Sequence, residues 1–168
     1  KLILRLIFGY IENNSKSFYK IFLGKIFVKI FIKKKLMQLF GGNIKALISG
    51  GAALNPTVGF FFNKAGLKLL QGYGQTEAAP LISCNFKNSN DPRTVGFPVK
   101  NVEIKISNDN EILVKGDNVM LGYWNNKKLT NQTIRNKWLY TGDLGFLDKD
   151  GRLVINGRKK DLIVTSGG

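Results

Sequence analysis

Histidine is absent from the 168 residues, and cysteine occurs once, as Cys84. Without an imidazole, no residue of this sequence can serve as a histidine base or a histidine metal ligand. A single cysteine excludes an internal disulfide and any metal site built from paired cysteines. We interpret Cys84 as a small structural residue, and the low cysteine content favours a cytoplasmic location.

A long uninterrupted apolar run is also lacking. The apolar stretch 18–32 contains three lysines, which makes it a poor membrane span. Residues 16–40 are predicted to form one or two helices, on which Lys25, Lys29 and Lys33 make a polar stripe. We favour a helix buried on most sides in an α/β domain over a helix that lies on an anionic membrane.

Acidic residues are few: 11 Asp and Glu stand against 26 Lys and Arg, and the net charge is +15. Such a balance is compatible with binding to nucleic acid, to a membrane surface or to anionic small molecules. The lysines are spread along the chain, so we interpret them mainly as a solvated surface. We expect no nucleic-acid partner. Peripheral contact with the inner face of a membrane is a hypothesis from the same charge.

The first half of the sequence has the pattern of a βαβ unit. The predicted order is strand, glycine turn, helix, strand and glycine turn, at 44–48, 49–53, 56–65, 67–71 and 72–77. The first strand is predicted to be buried and parallel, and Pro56 suits the first turn of the helix. Ligands of such sheets bind where the strands end at their carboxyl side, and both turns are predicted there.

From about residue 93, apolar and polar residues alternate, which is typical of antiparallel strands. A hairpin is predicted from strands 102–106 and 111–115 around the turn 108–110. The later predictions are a brief helix, two strands and an Asp-Gly turn, at 130–135, 138–141, 153–156 and 148–151.

Glycines at the two predicted strand ends let a ligand approach the backbone closely. In the first turn, Gly51 and Ala52 leave a flat surface without large side chains. In the second turn, Tyr73 stands between Gly72 and Gly74 and offers a ring able to stack on a purine. Taken alone, the first turn is better interpreted as an ordinary one, because glycine pairs are common.

Polar groups with suitable chemistry follow. Thr76 offers a hydroxyl, and Glu77 offers a carboxylate able to hold Mg²⁺ beside phosphates. Asp143, predicted at a strand–turn junction, can accept two hydrogen bonds from a ribose diol. The basic run 157–161 suits phosphate binding or a pivot. Taken singly, Glu77, Asp143 and the basic run are better interpreted as a helix cap, a turn aspartate and a solvated loop.

The order of six short stretches changes that interpretation. They lie at 49–54, 72–77, 95–98, 122–124, 140–143 and 157–161. The series resembles the adenylate-forming, or AMP-binding, superfamily of acyl-CoA synthetases, peptide-synthetase adenylation domains and beetle luciferases. Residues 39–54 and 161–168 are similar to its long-chain fatty-acid–CoA ligase branch. Medium-chain, aryl and acyl-carrier-protein ligases share the other motifs and stay as alternatives.

The resemblance implies a ligase that converts a fatty acid and ATP, with Mg²⁺, to acyl-AMP and pyrophosphate, and then forms acyl-CoA from coenzyme A. By the same resemblance, Gly51 and Ala52 line the adenine pocket. Tyr73 stacks on the base between Gly72 and Gly74, and Gly74 also lies near the carboxylate end of the acyl pocket.

The remaining roles are implied in the same way. Thr76 lies by the α-phosphate and Glu77 is a ligand of Mg²⁺. Asp143 holds the ribose hydroxyls and Arg158 reinforces that contact. Lys160 matches the hinge about which a small C-terminal domain turns between the two half-reactions.

Two further positions follow from the resemblance, and two depart from it. Gln75 is expected near the carboxylate end of the acyl pocket, and Gly167 near the pantetheine channel. Asn110 precedes Glu111 where the family usually has glycine, and 136–137 stand where an acidic residue and a glycine are common. We predict that both departures lie in surface turns.

The expected fold class is α/β, the second half of the large N-terminal domain of an adenylate-forming enzyme. We expect an α/β part at 1–92, an antiparallel β subdomain at 93–157, and the hinge with the start of the C-terminal domain at 158–168. The phosphate-gripping loop and the catalytic lysine are expected outside this sequence, so we expect a piece that is inactive alone. A non-catalytic, basic, membrane-binding remnant is the other alternative.

Overall fold

The structure is a computed structural model that describes residues 33–161. Most of the helix predicted at 16–40, and Gly167, lie outside the described residues. The chain divides into two compact units, Lys1–Leu70 and Gln71–Gly168. Within residues 33–161, no helix is long and apolar enough to cross a bilayer.

The first unit contains two helices and the strand between them. In chain order these are α1, β1 and α2, at Lys33–Leu39, Leu47–Ser49 and Pro56–Lys64. Asn55 caps α2, because its side-chain oxygen accepts from the Thr57 N–H at 2.9 Å. Pro56 occupies the first turn, as predicted. The Leu47 N–H donates to the Lys68 carbonyl at 2.8 Å, which places β1 beside the chain that enters the next strand.

Two strand predictions need correction in this unit. The first strand is shorter than 44–48 and is not buried, since Ile48 keeps 67% of its surface exposed. The second, β2, covers Leu69–Gly74 instead of 67–71. Asn63 fixes its start, because its side-chain amide bonds both the N–H and the carbonyl of Leu69, at 3.0 and 3.3 Å.

In the second unit, β2 continues into an antiparallel hairpin that the sequence did not predict. A 3₁₀ turn at Thr76–Ala78 leads to β3 at Leu81–Cys84, and β4 at Phe97–Pro98 pairs with β3. Gly72, Tyr73 and Gly74 pair with Cys84, Ser83 and Leu81. The residues predicted to open a turn at 72 therefore lie in a strand, because β3 supplies the partner for their backbone groups.

A five-stranded antiparallel sheet forms the rest of this unit. Its strands β5 to β9 lie at Val102–Ile106, Glu111–Gly116, Ile134–Arg135, Trp138–Leu147 and Leu153–Arg158. The order is β5-β6-β8, and both β7 and β9 pair with β8. The predicted hairpin is confirmed by β5 and β6, whose register runs from Val102 opposite Gly116 to Ile106 opposite Ile112.

The short helix of this unit, α3, lies at Lys127–Thr133 rather than at 130–135. Asn126 starts it earlier, because its side-chain oxygen accepts from the Leu129 N–H at 3.0 Å. The Asp-Gly turn is confirmed, since the Gly151 N–H donates to the Asp148 carbonyl at 2.9 Å.

One surface-turn prediction is right and the other is half right. Asn136 and Lys137 are exposed and have positive φ values of 50° and 67°. Asn110 is exposed with φ 63°, a left-handed conformation in which asparagine can replace glycine. Glu111, however, is only 5% exposed. It opens β6 and its carboxylate bonds partners from two other parts of the sheet.

The core of the second unit lies between its two sheets. Its buried members are Tyr73, Ala78, Ile82, Val95, Ile112, Val114, Leu139 and Leu153. Leu153 exchanges backbone hydrogen bonds of 2.8 Å with Val95 and Gly96, which joins β9 to the segment before β4. Antiparallel pairing begins at Gly72. The boundary predicted near residue 92, between an α/β part and an antiparallel subdomain, therefore falls inside this unit.

Candidate functional site

Asp143 is the centre of the candidate site. Its side chain is only 8% exposed, and it lies within β8 opposite Arg158 of β9, not at the strand–turn junction that was predicted. The Tyr73 hydroxyl donates to Oδ2 of Asp143 at 2.6 Å, and Nε of Arg158 donates to Oδ1 at 2.6 Å. Three residues predicted for the site therefore meet at one carboxylate.

The residues before Asp143 fix the position of its carboxylate. Gly142 has φ +73°, a conformation open to glycine at little cost. The Thr141 hydroxyl donates to the Ile112 carbonyl at 2.8 Å and accepts from the Asp143 N–H at 3.1 Å. Thr141 was not predicted to have a role of its own, although the stretch 140–143 contains it. Its buried hydroxyl makes it a second support of Asp143.

Asp143 keeps capacity for a ligand. Each carboxylate oxygen can accept two hydrogen bonds, and one acceptor position on each is used by Tyr73 or Arg158. A vicinal diol, as in ribose, could donate to the remaining positions. The Arg158 side chain is 58% exposed, so its guanidinium can also meet a ligand. Its hydrogen bond to Asp143 raises the pKa of Arg158, which keeps the charge fixed.

Tyr73 is the most strongly perturbed group of the site. Burial, and after it the hydrogen bond to Asp143, raise the pKa of its hydroxyl well above the ordinary value. The phenol is therefore a permanent donor to Asp143 at physiological pH. The residue is 8% exposed and packs in the core, so the predicted stacking on a purine depends on whatever part of the ring is open.

We expect Tyr73 to ionise later than an unperturbed tyrosine in an alkaline absorbance titration. Because the pKa of the folded state lies above the unfolded value of about 10, this group stabilises the fold below pH 10 and loses that contribution as pH rises further. The Tyr73→Phe variant should match the wild type in phenolate absorbance up to about pH 11. A phenolate absorbance of the variant that is lower than the wild type's by one tyrosine below that pH would contradict the buried hydrogen bond.

Thr76 and Glu77 lie in the 3₁₀ turn after β2, with Thr76 exposed and Glu77 half-buried. Oε1 of Glu77 accepts from the Tyr123 hydroxyl at 2.9 Å, and its backbone carbonyl accepts from the Met120 N–H at 2.9 Å. Tyr123 had been part of a family-like stretch without an assigned role. The structure places it as the residue that orients the Glu77 carboxylate.

The Glu77 carboxylate fits a magnesium ion that is shared with phosphates. Within residues 33–161, no group of three or more Cys, Asp and Glu side chains could hold a metal. Mg²⁺ is often held by one or two carboxylates, with waters and substrate phosphates completing its octahedron. The single oriented carboxylate of Glu77 suits that arrangement.

Three of the other predicted positions, Gly51, Ala52 and Lys160, are exposed. Gly51 and Ala52 lie in an exposed bend of the first unit, and Gly51 has φ +84°. Lys160 is exposed in the 3₁₀ turn Lys159–Asp161 at the end of β9. Gln75 precedes the turn that carries Glu77. Its side-chain nitrogen is buried and finds no hydrogen-bond partner in the part of the chain that the structure describes.

A model of the AMP-binding enzyme family matches residues 16–124. The chain belongs to the AMP-binding enzyme family. The long-chain-fatty-acid–CoA ligase FadD15 of Mycobacterium bovis is 42% identical over 137 residues, 82% of this chain and 23% of that protein. The long-chain-fatty-acid–CoA ligase of Bacillus subtilis is 36% identical over 155 residues, 84% of this chain and 28% of that protein. This AMP-binding chain thus spans about a quarter of the length of these curated relatives.

Solved structures agree with the family. The O-succinylbenzoate coenzyme A synthetase of Bacillus subtilis in complex with AMP superposes with a TM-score of 0.65 at 32% identity. The match covers 74% of this chain and 28% of that one. The expected fold class, α/β as in part of an adenylate-forming enzyme, is confirmed for this AMP-binding chain.

Proposed function

We propose that the protein carrying this chain is a long-chain fatty-acid–CoA ligase. It converts a fatty acid and ATP to acyl-AMP and pyrophosphate, and then transfers the acyl group to coenzyme A. The observation that carries the nucleotide part is the Asp143 carboxylate, held by Tyr73 and Arg158 with acceptor capacity left for a ribose diol. The fatty-acid part rests on the relatives that are named for that substrate.

The nucleotide is bound mainly through its ribose and base in this proposal. Asp143 accepts hydrogen bonds from both ribose hydroxyls, and the exposed guanidinium of Arg158 adds a fixed positive charge beside them. The open part of the Tyr73 ring stacks on adenine. Gly51 and Ala52, with no large side chain, line the adenine pocket.

Residues of the β2–β3 hairpin interact with the phosphates in this proposal. Gly72 and Gly74 are assigned to the nucleotide by the family resemblance alone, and the Thr76 hydroxyl bonds the α-phosphate. Glu77, aimed by Tyr123, is the ligand of Mg²⁺. When bound there, Mg²⁺ neutralises negative charge on the phosphates.

Chemistry in the first half-reaction consists of positioning and charge neutralisation. A carboxylate oxygen of the fatty acid attacks the α-phosphorus, and the bond to pyrophosphate breaks. No side-chain nucleophile or histidine base is required, which is compatible with a sequence that lacks histidine. The unpaired side-chain nitrogen of Gln75 is a donor that the fatty-acid carboxylate could satisfy.

The second half-reaction joins the acyl group to coenzyme A. The thiol sulfur attacks the acyl carbonyl carbon, and AMP leaves with the electrons of the broken carbon–oxygen bond. Lys160 is the pivot at which the downstream domain turns between the steps. We propose a cytoplasmic enzyme, and the +15 charge of this chain supports peripheral contact with an anionic membrane that holds the substrate.

Acid-dependent exchange between ATP and pyrophosphate tests this function on the complete protein. We expect exchange with palmitate, weaker exchange with octanoate, and none with benzoate or without acid. The 168-residue chain alone should give none with any acid. Exchange with benzoate alone would replace the proposal by an aryl-acid ligase, the class favoured by the similarity to the O-succinylbenzoate enzyme. Absence of exchange with every acid would contradict a ligase of either class.

A further inference from the structure

A second network of charged groups lies beside the Asp143 site and is centred on Glu111. This residue opens β6 and is 5% exposed. Its Oε1 accepts from the Gly142 N–H at 2.8 Å, and its Oε2 accepts from Nζ of Lys159 at 2.6 Å. One buried carboxylate thus ties together the start of β6, the middle of β8 and the first residue after β9.

Lys159 is held from two sides. Its ammonium also contacts Oδ2 of Asp109 at 2.5 Å, and Asp109 accepts from the Ser107 hydroxyl at 2.5 Å. The hydrogen bonds to Asp109 and Glu111 raise the pKa of Lys159, and the contact with Lys159 lowers the pKa of Asp109 to about 2. Lys159 and Asp109 are therefore both charged at neutral pH.

The partners of Glu111 are the immediate neighbours of predicted site residues. Gly142 precedes Asp143, and Lys159 stands between Arg158 and Lys160. The Lys159 side chain is 36% exposed, and Lys160 is exposed. The Lys159 side chain is therefore tied to the sheet at the residue immediately before Lys160.

We propose that Glu111 is a positioning residue that anchors the chain at Lys159, the first residue after β9, so that rotation at Lys160 starts from a fixed point. Through Gly142, the same carboxylate also fixes the backbone that presents Asp143. This inference deepens the proposed function and rests on it for the rotation. The anchoring contacts themselves stand independently of any activity.

Substitutions at Glu111 separate its two contacts. In Glu111→Gln, an amide oxygen can still accept from the Gly142 N–H, while the charge that holds Lys159 is lost. Glu111→Ala loses both contacts. Lys159→Met removes the anchored charge, and Lys159→Arg retains it. Lys149→Met, at an exposed lysine of a turn, is the matched control.

Amide hydrogen exchange tests the anchor without turnover. We expect Glu111→Gln to speed exchange at 159–161 by about tenfold and to leave 141–143 unchanged, whereas Glu111→Ala speeds both. Lys149→Met should change neither. Unchanged hydrogen exchange at 159–161 in Glu111→Gln would overturn the inference, whether or not the wild-type protein activates an acid. A wild-type protein that activates no acid would contradict the proposed function but not the anchor.

Kinetics of the complete protein test the consequence for catalysis. Glu111→Gln and Lys159→Met should lower kcat for acyl-CoA formation by about tenfold, with AMP affinity within about twofold of wild type. Lys159→Arg should restore most of kcat. Equal losses of kcat and AMP affinity in Glu111→Gln would indicate a general structural role and would refute the anchor.

Discussion

Replacing Asp143 by alanine should weaken AMP binding by about a hundredfold, because the proposed function gives this carboxylate two charge-assisted hydrogen bonds from the ribose. The same change leaves the buried Tyr73 hydroxyl without its acceptor and the Arg158 guanidinium without its partner. We therefore also expect the free energy of unfolding to fall by about 1–3 kcal/mol. Calorimetric titration with AMP and denaturant unfolding measure the two effects.

Conservative and surface variants separate binding from folding in this experiment. Asp143→Asn keeps the shape but has an amide in place of one acceptor oxygen, so it should lose most of the AMP affinity and less of the stability. Asp117→Asn, the same change at an exposed aspartate, should alter neither quantity. AMP affinity within twofold of wild type in Asp143→Ala would remove Asp143 from the nucleotide site.

The Gly74→Ala variant should destabilise the second unit by about 3 kcal/mol or more, because overpacking against backbone cannot be relieved by a rotamer change. A Cβ at this position would lie 1.7 Å from the Pro80 carbonyl oxygen and 2.7 Å from its carbon. Strand β2 must then move away from the chain that enters β3, and the turn that holds Glu77 moves with it. Thermal and denaturant unfolding measure the loss.

Gly157→Ala is the matched control for this prediction. It adds the same methyl group in β9 at a position where a Cβ meets no atom within 4 Å. Its free energy of unfolding should stay within about 0.5 kcal/mol of wild type or rise slightly, since alanine has less backbone entropy to lose. If both alanine variants unfold alike, the close approach at Gly74 is not a constraint on the fold.

Elements with local signals were predictable from the sequence. The Asn55–Pro56 pair marks the start of α2, and the alternation around the turn at 108–110 predicts the β5–β6 hairpin. Strand β3 had no comparable signal, so the backbone partner of Gly72 and Tyr73 was missed and a turn was predicted there. The error came from the missing strand signal at 81–84, since β3 is the next strand in the chain after β2.

The candidate site was also predictable from the sequence only in part. The six ordered stretches pointed to Tyr73, Asp143 and Arg158, which meet at one carboxylate in the structure. They could not indicate that Tyr123 orients Glu77, because 46 residues separate the two. The six stretches do not include Glu111, whose partners Gly142 and Lys159 come from β8 and from the turn after β9.

The span of these contacts also bears on how the unit folds. The Tyr73–Asp143 hydrogen bond joins residues 70 positions apart, and the Glu111–Lys159 ion pair joins residues 48 apart. Closing loops of this length costs chain entropy before any contact stabilises the chain, whereas the β5–β6 hairpin closes over a few residues. We therefore expect the Asp143 carboxylate to gain its partners late in folding, after both sheets of the second unit have assembled.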